Sequence, residues 1–142
     1  MRLHPQTYAL TTVAHARKRV FQRTANAELL IGTIFRYREK GCFLVHAFVV
    51  MPDHLHLAIT PEESTEKAVQ LIKGGFSFAV RAQYSGEVWQ PGYHAHRITN
   101  ASDYCCQIKY IANNPMRKGL ANYPHVHTTG LWPLDERPLS LS

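Results

Sequence analysis

The chain has 142 residues, enough for one domain, and 45% of them are hydrophobic, so a substantial core can form and a disordered chain is excluded. The 16 basic residues outnumber the 10 acidic ones, and the net charge of +6 suits a polyanionic partner, most simply nucleic acid. The longest apolar run, Cys42 to Met51, is too short to span a membrane and the N-terminus lacks the apolar stretch of a signal peptide; with three cysteines and no zinc-type spacing, this reads as a cytoplasmic protein with reduced thiols.

Thr7 to Val13 is rich in strand formers and predicts a first strand. The basic stretch His15 to Arg23 reads as a loop. Asn26 can cap a helix running to about Lys40, with Leu29, Leu30, Ile34 and Tyr37 at helical spacing and Gly41 ending it. Phe43 to Val50 and His54 to Thr60 are strands joined by a turn at Met51-Pro52-Asp53. Ser64 or Thr65 starts a second helix, to about Tyr84, with Val69, Ile72, Phe76 and Val80 inward. Gly74 and Gly75 inside it cost about 2 kcal/mol relative to alanine, so close helix packing or a bend is expected there. Tyr93 to Ile98 is a short fourth strand. A third helix starts at Asn100 to Ser102, carries Tyr104, Ile108 and Ile111 inward, and stops near Asn114 because Pro115 disfavours helical dihedrals before it. From Ala121 onward a loose tail is expected.

The order β-α-β-β-α-β followed by a helix predicts an α+β domain. Its core is a ferredoxin-like antiparallel sheet, and a C-terminal helix carrying a tyrosine is added to it. That architecture does not decide activity.

The chemistry-bearing residues are concentrated in two segments. His54 and His56 flank Leu55 in a strand, so they project from one side, with Cα atoms roughly 6.6 Å apart. Two imidazoles at that separation can converge on one cation, although a lone His-x-His is more often a satisfied, partly buried pair. Tyr110 and Asn114 lie four apart on one helix face, with Gln107 one turn earlier. Two imidazoles and one amide oxygen suit Mg²⁺ or Mn²⁺ acting on a phosphate, with Tyr110 as nucleophile. The ordinary alternatives are a packed tyrosine and a helix-terminal amide. Candidate contacts to a nucleic-acid backbone are Arg17, Lys18, Arg19, Arg23, Lys73, Arg81, Arg97, Arg117 and Lys118. Trp89, Tyr93 and Phe76 are candidates for base stacking, against packing as the commoner fate.

These residues carry a resemblance. Val49-Val50-Met51-Pro52-Asp53-His54-Leu55-His56 resembles the His-hydrophobic-His motif of the single-tyrosine (Y1) HUH transposases, the IS200-like superfamily. Val88-Trp89-Gln90-Pro91-Gly92-Tyr93-His94 is similar to its Trp-Gln-x-Gly-aromatic segment. Tyr110-Ile111-Ala112-Asn113-Asn114-Pro115 is similar to the tyrosine helix of the REP-associated tyrosine transposase branch. The likeness runs from about residue 5 to 120, which implies a catalytic domain over 1–120 and leaves 121–142 as the tail. It implies a DNA transposase that cleaves and rejoins single-stranded DNA at hairpin-forming repeats through a 5′-phosphotyrosine. His54, His56 and Asn114 would bind the divalent metal and Tyr110 would attack. Classical members carry glutamine where Asn114 stands, and Asp53 receives no role. The alternative is a catalytically silent hairpin-binding module derived from such an enzyme. The resemblance leaves the oligomeric state open between monomer and homodimer.

Overall fold

The computed structural model describes residues 5–117, 126–127 and 133–141, without the side chains of 115–117 and 126–127. Strand β1 is Thr7–Val13, α1 Thr24–Glu39, β2 Phe43–Met51 and β3 His54–Pro61. Then follow α2 Thr65–Ala79, β4 His94–Ile98, α3 Ala101–Arg117 and the two-residue β5 Val126–His127. All described pairings are antiparallel, in the order β4-β1-β3-β2-β5. The α+β, ferredoxin-like expectation with an added tyrosine-bearing helix therefore holds.

The sheet has two covered faces. Helices α1 and α2 lie on one, over a core that includes Leu10, Leu30, Phe48, Leu55, Leu57 and Ile72. On the other face Ile111 and Ile108 of α3 pack on Ala47, Val49, Met51 and Ala58. Period-two alternation assigns residues to faces, and β2 breaks that alternation once. Val45 pairs with Ile59 and Ala47 with Ala58, so His46 is an extra residue. This bulge moves Val45 and Ala47, two apart in sequence, onto opposite faces.

The bulged His46 is buried and fully bonded. Its Nδ1 bonds the Asp135 carbonyl at 3.0 Å and its Nε2 bonds Thr60 Oγ1 at 2.8 Å. Thr60 Oγ1 in turn lies 2.7 Å from Thr7 Oγ1. Asp135 also accepts two hydrogen bonds from Arg38 and one from the Val45 N–H, each at 2.8 Å. The segment read as a loose tail is thus anchored at its described residues: Leu134 packs on the main core and Leu141 is buried.

Several local expectations are revised. Asn26 is no cap: it lies inside α1, fully buried, donating to the Val20 carbonyl and accepting from Gln83. It braces the segments before α1 and after α2. That second bond helps end α2 at Ala79 and not Tyr84, because the chain beyond turns back onto α1. Leu29 is 40% exposed, outside the apolar stripe. Helix α3 runs through Pro115 to Arg117. Proline there forfeits one hydrogen bond and crowds the carbonyl four residues back, a cost offset by the packing of Ile108 and Ile111 on the sheet. Close helix packing accounts for Gly75, where a Cβ would sit 2.7 Å from Thr33 Cγ2 of α1.

Candidate active site on the third-helix face

Strand β3 places His54 between Val13 and Met51 and His56 between Thr11 and Val49. Both histidines therefore lie on the α3 face, while Leu55 and Leu57 enter the opposite core. Their rings are 4.7 Å apart, centroid to centroid, and nearly perpendicular at 83°.

Each ring is fixed through its Nδ1. His54 Nδ1 lies 2.6 Å from Asp53 Oδ1 and His56 Nδ1 lies 2.7 Å from Thr11 Oγ1. Burial pushes the Asp53 carboxyl up, but its bond to His54, with the nearby charges of His54 and Arg17, outweighs this and holds it below the usual range. An ionised Asp53 accepts only, so His54 donates from Nδ1, which in the neutral ring leaves the lone pair on Nε2. A carboxylate that accepts from the other ring nitrogen orients metal-binding histidines in this way. Asp53, given no role from the sequence, is thereby the residue that sets the tautomer of His54; Thr11 was also missed. The available signal was a carboxylate adjoining His54 and a hydroxyl at the right alternation of β1.

Asp53 is itself held. Its carbonyl accepts from Ala14 N–H at 2.9 Å, and the Pro52 carbonyl accepts from Phe21 N–H at 3.0 Å. Arg17 Nη1 reaches the Asp53 carboxylate at 3.4 Å. Ala16 and Arg17 both have positive φ, 55° and 52°, a conformation that costs a non-glycine residue about 1–3 kcal/mol. The basic loop of Arg17, Lys18 and Arg19 is thus fastened beside the turn that leads into His54.

Helix α3 supplies the other wall. The Tyr110 ring lies 5.7 Å from the His56 ring at 82°, and Tyr110 is 41% exposed. One turn further on, Asn114 is only 2% exposed, and its Oδ1 has no hydrogen-bond donor among the described residues. An orphaned buried carbonyl costs about 1–3 kcal/mol, which a cation ligand would relieve. Two oriented imidazoles and this oxygen fit a divalent metal of the Mg²⁺ or Mn²⁺ type. Among the described residues no group of three or more His, Cys, Asp and Glu could hold a metal ion.

Of the predicted backbone contacts, Arg17, Lys18, Arg19, Arg23, Arg81 and Arg97 are exposed. Arg81 lies over the Phe78 ring, 3.8 Å from its centroid. Lys73 is differently engaged: its ammonium donates to the Gln90 and Gly92 carbonyls at 3.0 and 2.6 Å. Burial lowers its pKa, and it clasps the 90–92 loop to α2. The Arg117 side chain and Lys118 lie outside the described residues. Phe76 and Trp89 are core residues, clustered with Phe21 at centroid distances of 5.2 to 5.7 Å, and are not stacking platforms. Tyr93 is 38% exposed and bonds Thr65 through its hydroxyl.

No helix among the described residues is long and apolar enough to cross a membrane. Comparison with known proteins gives four concordant findings. Residues 3–114 match the family model described as transposase, IS200-like. The REP-associated tyrosine transposase of Escherichia coli strain K12 is 28% identical over 124 residues, covering 79% of this chain and 73% of that protein. A solved REP-associated tyrosine transposase bound to a REP hairpin superposes with a TM-score of 0.74 at 22% identity, over 98% of both chains. A putative transposase from Deinococcus radiodurans R1 gives 0.58 at 21% identity, over 79% of this chain and 92% of that one.

Proposed function

Since the chain belongs to the IS200-like transposase family, we propose that it cleaves and rejoins single-stranded DNA at hairpin-forming repeat ends, with Tyr110 as the nucleophile and 1–120 as the catalytic domain. The observation that carries this reading is the meeting of Tyr110 with the oriented His54 and His56 pair on one face of the sheet. The relatives named above support the substrate class, one of them being bound to a REP hairpin.

Tyr110 Oη attacks the scissile phosphorus and the bond from phosphorus to the 3′ oxygen breaks. The products are a 5′-phosphotyrosine and a free 3′-OH, the phenolic proton being balanced by the one gained at the 3′ oxygen. Because the phosphodiester energy is kept in the tyrosyl ester, a second 3′-OH can reverse the step without ATP. His54, His56 and Asn114 would hold Mg²⁺ or Mn²⁺, which when bound supplies electrostatic polarisation of the phosphate. Asp53 and Thr11 keep the two imidazoles in place. The exposed Arg17, Lys18, Arg19, Arg23 and Arg81 provide a salt-sensitive grip on the DNA backbone. Such a substrate places the reaction in the cytoplasm.

The test is incubation with end-labelled hairpin DNA drawn from the repeats flanking the gene, with Mn²⁺ or Mg²⁺, resolved on a denaturing gel. The reading expects a metal-dependent protein–DNA adduct that Tyr110→Phe abolishes while hairpin binding persists. Hairpin binding with no adduct under either metal would replace it with a silent binding module.

A further inference from the structure

A cleft of about 630 Å³ opens beside Tyr110, lined on one side by His94 and His96 of β4 and on the other by Cys106, Gln107 and Tyr110 of α3. Its size is in the roughly 300–1,000 Å³ range of pockets that hold a small ligand. It reaches His56 but not His54 or Asn114, so it runs from one side of the candidate metal site towards β4 at the end of the described sheet. The register explains the space: His94 pairs with Thr11 and His96 with Ala9, and these small β1 residues leave a gap beneath α3.

The walls are fixed in advance. Asp103 bridges strand and helix: its Oδ2 accepts from His96 Nε2 at 2.8 Å and its Oδ1 from Gln107 Nε2 at 3.3 Å. Burial pushes the Asp103 carboxyl up, but the bonds from His96 and Gln107 outweigh it and leave the carboxyl below the usual range. A carboxylate that accepts only must take the amide nitrogen of Gln107, which leaves the amide oxygen for a ligand. A second cavity of about 370 Å³, lined by Gln90, Gly92 and Tyr93, shares Thr11 and His94 with the first. The two cavities adjoin at Thr11 and His94, so an extended strand laid over both would reach Tyr110.

We propose that the cleft between β4 and α3 receives one unpaired base adjoining the scissile phosphate, and that Gln107, positioned by Asp103, accepts a hydrogen bond from that base's exocyclic amino group. This rests on the transposase reading above and adds a protein pocket for base selection at the cleavage point. A thymine, which has no exocyclic amine, fits the pocket worst.

Cys106 lines the same cleft and reports occupancy without any reaction. The protein is the full chain carrying Cys105→Ser and Tyr110→Phe, so that it binds DNA uncleaved; peptide mapping separates Cys42. The probe is the flanking-repeat hairpin with its unpaired arms, and cleavage by the unaltered protein locates the scissile linkage. Iodoacetamide labelling of Cys106 is followed against DNA concentration, and hairpin binding is measured separately by gel shift. DNA is expected to protect Cys106. An abasic site or thymine at one of the two flanking positions should raise the concentration needed about tenfold, the usual scale of losing one base contact. Gln107→Ala should do the same, and the abasic site should add nothing to it; Asp103→Asn is the second variant. Hairpin binding with Cys106 unprotected, or protection indifferent to abasic sites at both positions, would overturn the pocket while leaving the transposase reading standing. Failure of hairpin binding itself would overturn both.

Discussion

Asp53 is the residue on which the site's geometry turns. Its carboxylate fixes the tautomer of His54 from a distance of 2.6 Å, and the Thr11 hydroxyl, 2.7 Å from His56 Nδ1, fixes the orientation of that ring. Removing such a partner typically costs 10–100-fold in metal affinity. Asp53→Ala should therefore weaken Mn²⁺ binding about 10–100-fold, measured by titration calorimetry on DNA-free protein, with the circular dichroism spectrum unchanged. An unaltered affinity would show that His54 needs no orienting group. The histidines, Tyr110 and Asn114 could be picked out from spacing alone, because strand and helix periods put each pair on one face. Asp53 and Thr11 could not, since their roles depend on a turn geometry and on the β1–β3 register.

At the level of elements, α1 and α2 approach closely at Gly75. A Cβ there would meet Thr33 Cγ2 at 2.7 Å, with Arg36 and Tyr37 atoms at 3.1 Å, whereas one at Gly74 would meet nothing within 4 Å. Gly75→Ala should thus lose about 1–3 kcal/mol to overpacking. Gly74→Ala should be neutral or gain up to about 1 kcal/mol from helix propensity. Urea denaturation of the two variants checks this, and equal effects would refute it. The sequence pattern called for close packing or a bend at the pair, but only the packed structure separates the two glycines. Helix ends were harder to read for a related reason. Asn26 has the composition of a cap, yet tertiary bonds to Val20 and Gln83 claim its side chain. Pro115 was expected to stop α3, and the packing of Ile108 and Ile111 carries the helix past it.

Across the whole molecule, the two-faced sheet separates stability from chemistry. The α1–α2 face holds the larger core, and the α3 face holds the histidines, Tyr110 and the cleft. The order of elements along the chain, and with it the fold class, was legible because strand-forming and helical patterns follow each other from Thr7 to Ile111. The anchoring of the C-terminal segment was not, because it depends on polar bonds of Asp135 to the β2 bulge and to Arg38 and on the packing of Leu134, which no periodicity encodes. Those bonds have a pH signature. Burial lowers the pKa of His46 from its ordinary 6.5, so the native state favours the neutral ring. The unfolded chain then binds more protons below pH 6.5, and stability falls with pH. The contribution is complete above about 6.5 and is lost as pH drops through the folded pKa. Asp53, Asp103 and Asp135 are lowered from 3.8 and so lose their contributions only at lower pH. Urea midpoints should therefore fall between pH 7 and pH 5, and His46→Asn should flatten that slope. An unchanged slope in the variant would contradict the account.

The most direct measurement is to map the covalent linkage itself. The adduct formed with hairpin DNA and Mn²⁺ is digested with nuclease and trypsin, and the nucleotide-bearing peptide is sequenced by mass spectrometry. The account predicts a 5′-phosphate on Tyr110. A phosphate on Tyr104 or any other residue, or no adduct with either metal, would contradict it.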